Sequence, residues 1–306
     1  MGRLVADLAA ELRAVVLPHL GRDAGREHAG AGAGGDVTFA IDERAEARME
    51  AYLAANAPDV AFYSEDRGLV DPGGEPRWVL IVDPIDGTRP ALAGLESACV
   101  SVAAAPFVAE PRMGDVEVGC VVEIKSGERF LAIRGGGLEP APRLSRQTSV
   151  ERMLWTYGFR GRPAVPTAIV LADLLDRSSV SGGTFDLGSA TYDMTRLVTG
   201  QLDAYVEPGP RMIAELGWVR SEFERVGRGA VLNNSPYDLA AAALILDEAG
   251  AILTDAGGRR LDDRPLLGSG HDYQMSCVCA ATPALHAAII ASLDAGIERL
   301  RATGPR

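Results

Sequence analysis

Two carboxylates, a glycine and a hydroxyl close an apolar run, Trp78-Val79-Leu80-Ile81-Val82-Asp83-Pro84-Ile85-Asp86-Gly87-Thr88. Val79 to Val82 is short, β-branched and uninterrupted, which reads as a central strand covered on both faces. The acids fall at its carboxyl end, where open α/β sheets hold their ligands. Pro84 has no N–H to donate and stiffens the turn, so Asp83, Asp86 and the Ile85 carbonyl can face one point. Three converging oxygens suit a hard cation, and Mg²⁺ is the expected ion.

Three more runs accompany it in order: Tyr63-Ser64-Glu65-Asp66 upstream, Gly188-Ser189-Ala190 in the middle and Tyr237-Asp238-Leu239-Ala240-Ala241 downstream. With these four motifs, over about residues 36 to 258, the chain resembles the inositol monophosphatase family of Mg²⁺-dependent, lithium-sensitive phosphatases. The resemblance implies an α+β fold, a layered α-β-α-β-α sandwich with the active site between its halves. It implies that Glu65, Asp83, the Ile85 carbonyl, Asp86 and Asp238 hold two or three Mg²⁺ ions. It further implies that Thr88, paired with Asp42 at the end of Asp36-Val37-Thr38-Phe39-Ala40-Ile41-Asp42, activates the attacking water.

Gly87 and Thr88 open a short helix whose free N–H groups and positive dipole end favour an anion, and Gly87 lets the backbone come close. By resemblance, Gly188, Ser189 and Glu207 contact the organic part of the substrate. The chain departs from the family in four places, one of them Tyr237, where members carry tryptophan before the downstream aspartate. Ala29-Gly30-Ala31-Gly32-Ala33-Gly34 stands where members often carry a lysine, Arg89-Pro90 replaces the usual Asn-Phe after the threonine, and the stretch from Pro208 to Pro236 is long. Arg89 or Arg211 is then a candidate for a second anionic group on the substrate, with the long stretch as a pocket wall.

The elements that must hold these residues can be read from periodicity. Leu4, Leu8, Leu12, Val15 and Val16 predict a first amphipathic helix ending near Pro18. Residues 21–36 are rich in glycine and alanine and predict a mobile loop. Asp42 is placed to cap a second helix running to about Asn56. Strands are expected near 60–63, 78–82, 97–105, 116–124 and 129–133, as a largely antiparallel or mixed sheet. Beyond Pro140 and Pro142 the pattern alternates: strands near 153–157, 203–207, 251–254 and 275–280, and helices near 166–177, 188–200, 238–249 and 282–302. This predicts an N-terminal half, 1–140, and a C-terminal half, 141–306, joined as one catalytic unit.

The 306 residues carry a net charge of −12, which argues against a nucleic-acid surface, because phosphate backbones need basic stripes. No apolar segment reaches the roughly 20 residues that span a bilayer, so no membrane partner and a cytoplasmic location are expected. Cys99, Cys120, Cys277 and Cys279 lack zinc-type spacing and read as buried thiols. The four histidines lie in no catalytic context, which disfavours histidine phosphotransfer and a serine hydrolase triad.

The expected activity is hydrolysis of a small phosphate monoester of an inositol, sugar, polyol or nucleoside by metal-activated water. Alternatives within the superfamily are a sugar bisphosphatase, a histidinol phosphatase or a 3′-phosphonucleotide phosphatase, and by resemblance the enzyme is a homodimer. Two rivals come from other classes. An aspartyl-phosphate phosphatase has its acids two apart and needs a downstream lysine, whereas Asp83 and Asp86 are three apart and Lys125 is the only lysine. A non-catalytic phosphosugar-binding protein would have no need of the complete acid set.

Overall fold

The computed structural model describes residues 1–22, 28–31 and 37–304. The first half runs α1 (Gly2–Val16), β1 (His28–Ala31), β2 (Val37–Phe39), α2 (Ala40–Asn56), β3 (Ala61–Ser64), β4 (Gly68–Val70), β5 (Trp78–Asp86), α3 (Thr88–Ala93), β6 (Cys99–Pro106), β7 (Val118–Glu123), β8 (Arg129–Ile133) and β9 (Gly137–Glu139). The second runs β10 (Leu154–Tyr157), α4 (Ala164–Ser178), β11 (Gly183–Phe185), α5 (Ala190–Thr199), β12 (Ala204–Glu207), α6 (Gly209–Glu215), α7 (Val219–Val226), α8 (Pro236–Ala249), β13 (Ile252–Thr254), β14 (Cys277–Ala280) and α9 (Pro283–Thr303).

Two mixed sheets carry the fold. The larger has the order β4-β3-β5-β6-β7-β8-β9, with β3 and β5 parallel and its other pairs antiparallel. The smaller has the order β11-β10-β12-β14-β13. Strand β5 is interior, and its alternate residues enter two different cores. Leu80 and Val82 join the apolar faces of α1 and α2, while Val79 and Ile81 join α5 and α8. Covering both faces requires an apolar side chain at every position, which explains the unbroken run. Each of these side chains is worth about 1.5–3 kcal/mol when buried.

A third core lies on the far side of the smaller sheet, where α4 and α9 pack with β10, β12 and β14. The layers are therefore α1/α2, the larger sheet, α5/α8, the smaller sheet and α4/α9: a mixed α/β sandwich of five layers. Among the described residues no helix is long and apolar enough to cross a membrane. All four cysteines are buried and free.

Three sequence expectations change. Residues 28–31 of the predicted loop form a strand paired antiparallel with β2, because each adds backbone hydrogen bonds that composition does not reveal; the loop residues 23–27 and 32–36 lie outside the described residues. Asp42 is not the N-cap of α2. That position belongs to Phe39, and Asp42, three residues on, accepts the Phe39 N–H at 2.8 Å. The 208–236 stretch is divided: α6 and α7 bury Met212, Val219 and Phe223 in the third cluster, while Val231, Leu232, Asn233 and Ser235 line a hollow beside Glu65 and Asp238.

Candidate active site

Strand parity decides where the first acid points. Asp83 shares its parity with Val79 and Ile81 and so faces the α5/α8 layer. Asp86, three residues on, would point the other way in a regular strand. The pairing shifts here, however: Asp83 opposes Ser101 and Asp86 opposes Cys99, so three steps on β5 match two on β6. This bulge restores the parity and turns both carboxylates to one face. Asp83 also accepts the Ile85 N–H at 2.9 Å, which fixes the turn at Pro84.

Asp238 comes to them from the first turn of α8, where its carboxylate accepts the Ser235 N–H at 2.6 Å. Carboxylate oxygens of Asp83, Asp86 and Asp238 lie within 4.8 Å of one another. Glu65 stands outside that group, yet its charge acts strongly on Asp83. Tyr63 and Tyr237, two residues before Glu65 and one before Asp238, stack with ring centroids 6.5 Å apart and tie β3 to α8.

Every acid of the trio resists ionisation. Burial, then the charges of Glu65, Asp86 and Asp238, pushes Asp83 well above the carboxylate range. Burial, with the neighbouring Asp86, lifts Asp238 to about 7. Asp86 is raised by burial, against hydrogen bonds from Thr191 and Ser189 and the Arg160 charge, which pull it down. Such a crowd needs either protons or cations. Hard oxygen donors in a buried, acidic cleft fit a hard divalent cation such as Mg²⁺.

Ser189 does two local tasks. Its hydroxyl donates to Asp86 at 2.7 Å and accepts the Tyr192 N–H at 3.1 Å, capping α5, while the Thr191 N–H also goes to Asp86 at 2.6 Å. The start of α5 is thus occupied by the acid and not free for an anion. Gly87 has φ of +89°, and a Cβ there would lie 2.6 Å from the Ser97 carbonyl and 2.9 Å from the Ser189 Cβ. Glycine therefore lets the starts of α3 and α5 meet. Gly188 (φ +79°) packs on Pro90.

The Thr88 hydroxyl donates to the Ile85 carbonyl at 3.3 Å and also lies in hydrogen-bonding reach of Asp42. Burial raises Asp42 to about 7, with Asp66 adding to the rise and the Phe39 N–H, Arg89 and Thr88 opposing it. Arg89 lies over the Phe39 ring at 5.4 Å. Arg211 is remote from the acids: it lines a separate hollow of about 280 Å³, where it donates to the Ala256 carbonyl at 2.7 Å and pairs with Asp294 at 2.7 Å. Its charge is spent there, which corrects its expected place in the pocket wall.

Beside Asp86 and Asp238 opens a cavity of about 70 Å³ lined also by Arg160, Arg162, Asp186, Gly188, Ser189 and Asn233. Glu207 is fully buried, paired with Arg162 and accepting the Gly209 N–H at 2.8 Å, and does not line this cavity. Sequence reasoning missed Arg160 and Arg162, whose Gly158-Phe159-Arg160-Gly161-Arg162 loop has no motif spacing. It also missed Glu46, one turn after Asp42 on α2 and 1% exposed, which burial raises to about 7. The Asp-x-x-x-Glu spacing at helical period was the available signal.

Comparison with known proteins agrees with this architecture. The family model described as "Inositol monophosphatase family" matches residues 3–298. A "Fructose-1,6-bisphosphatase/inositol-1-monophosphatase" of Methanothermobacter thermautotrophicus is 28% identical over 299 residues, 94% of each chain. A "Nus factor SuhB" of Vibrio cholerae is 26% identical over 230 residues, 73% of each. Among solved structures, an IMPase of Thermotoga maritima superposes with a TM-score of 0.72 at 20% identity, covering 98% of this chain and 100% of its own.

Proposed function

From the premise that this chain belongs to the inositol monophosphatase family, a family of metal-dependent phosphatases, and is itself a phosphoric monoester hydrolase, we propose that it hydrolyses a small polyol, sugar or nucleoside phosphate with Mg²⁺ at the Asp83, Asp86 and Asp238 cluster. The observation that carries this reading is the cluster itself: three carboxylates within 4.8 Å that the fold gathers by a bulge and a helix start. Glu65 and the Ile85 carbonyl complete the oxygen set. Divalent ions bound there supply charge neutralisation and an acidified water.

The remaining work falls to the chain's own groups. Thr88, between the Ile85 carbonyl and Asp42, orients the water, and Asp42 takes its proton. The Gly87 and Thr88 N–H groups, at the start of α3, hold phosphate oxygens. Ser189 acts through Asp86, which it fixes by a 2.7 Å hydrogen bond. Arg160, Arg162 and Asn233 face the leaving alcohol. Residues 1–140 supply four of the five metal-binding groups and 141–306 the fifth, so both halves form one catalytic unit. The aspartyl-phosphate rival has no support, because the only lysine, Lys125, is on the surface and bonded to Glu96 at 2.5 Å. The family resemblance further supports a homodimer inhibited by Li⁺.

The test is phosphate release from a panel of inositol, fructose bisphosphate, histidinol and nucleoside phosphates, with Mg²⁺ and with or without Li⁺. The methanogen relative's name puts inositol monophosphate and fructose 1,6-bisphosphate first. Release that needs Mg²⁺ and falls by about 10³-fold or more in Asp86→Asn is expected, as for loss of a group essential to transition-state charge. No release from any substrate, or full activity of Asp86→Asn, would overturn the reading.

A further inference from the structure

We infer that Glu46 is a positioning residue for metal binding: from the face of α2 that carries Asp42, its buried carboxylate fixes the Ser64–Asp66 turn and so aims Glu65 at the acid cluster. This rests on the reading of Glu65 as a metal ligand. Glu46 accepts the Ser64 hydroxyl at 2.9 Å and the Asp66 N–H at 3.2 Å, so it grips the residues on both sides of Glu65. Ser64 is itself fully buried, and its oxygen accepts the Arg67 N–H at 3.3 Å. Arg67 then returns to α2, bonding Glu50 at 2.8 Å and Glu43 at 2.8 and 3.1 Å.

Three acids of α2 thus hold the four-residue turn that carries Glu65. Packing alone does not call for this. A carboxylate 1% exposed costs free energy to bury, and what offsets that cost is the pair of donors it accepts. What a leucine could not do is accept the two donors that flank Glu65. Positions 42 and 46 are one helical turn apart on one face. A single rigid helix therefore sets both the group beside Thr88 and the turn that presents Glu65.

The test is calorimetric titration of Mg²⁺ into the metal-free full chain, with thermal melting of the same samples. Glu65→Gln is the reference and should weaken binding about tenfold or more. Glu46→Leu should lose a similar factor, about tenfold, while its metal-free melt stays cooperative and falls by only a few degrees, since two donors lose their acceptor. Glu46→Gln should stay within about threefold of wild type, because the amide can accept the Asp66 N–H and donate to Ser64. Should Glu46→Leu not fold, Ser64→Ala removes one of the two tethers and should weaken binding by about threefold. Wild-type affinity in Glu46→Leu, or in Ser64→Ala where that one is used, overturns the inference if Glu65→Gln has lost affinity. Wild-type affinity in Glu65→Gln itself means that the reading of Glu65 has failed and takes the inference with it.

Discussion

Replacing Asp238 by Asn isolates what this acid costs the fold when no cation is bound. The Ser235 N–H bond at 2.6 Å can pass to the amide oxygen, so the start of α8 keeps its cap. What changes is charge. Burial, with the neighbouring Asp86, lifts Asp238 from 3.8 to about 7. In the unfolded chain the group titrates near its ordinary value of about 3.9. Between those values the folded protein holds a proton that the unfolded chain has released, so wild-type stability declines as pH rises through that window. A rise of this size corresponds to about 4 kcal/mol at neutral pH. Asp238 keeps some solvent contact, which halves this to about 2 kcal/mol. For a chain of this length that is about 3 °C in melting temperature. The assay is thermal unfolding in EDTA as a function of pH. Wild type and Asp238→Asn should melt together near pH 4, and the variant should melt about 3 °C higher above pH 7. Saturating Mg²⁺ should reverse the order, because only wild type binds it fully. A variant destabilised equally at every pH would refute the reasoning, since the acid would then be a structural group and not a strained one.

Gly87→Ala meets both a left-handed φ and a Cβ only 2.6 Å from the Ser97 carbonyl; a loss of about 2–4 kcal/mol is expected, read by urea unfolding. It should also cut activity, because α3 and α5 must separate. If Asp42 takes the proton of the attacking water, kcat/KM should rise with pH through a group at or below about 7, and Asp42→Asn should flatten that limb in a pH–rate profile. Retention of the limb in the variant would assign it to another group.

Much of this chain was legible before any coordinates, and for definable reasons. Strand β5 announced itself because a strand covered on both faces must be apolar at every position. The acids at its end, and the start of α5 at Ser189, are local features written in adjacent residues. The part that eluded sequence reasoning is non-local. The pairing of β1 with β2, the burial of α6 and α7 and the retreat of Arg211 into a separate hollow all depend on which surfaces meet. Asp42 was misplaced by three residues because an acid at the third helical position can reach back to the cap N–H as well as serve as the cap itself.

Residue types and spacing by themselves determined the kind of chemistry: acids three apart around a proline, followed by glycine and threonine, are oxygen donors for a hard cation. Tertiary structure decided that they act together. In a regular strand Asp83 and Asp86 would point to opposite faces, and only the bulge against Ser101 and Cys99 turns them to the same side. Asp238, more than a hundred residues on, joins them because α8 packs on the face that this parity selects. The repulsion of three carboxylates brought within 4.8 Å belongs to no segment of the sequence; it exists only once the layers have closed.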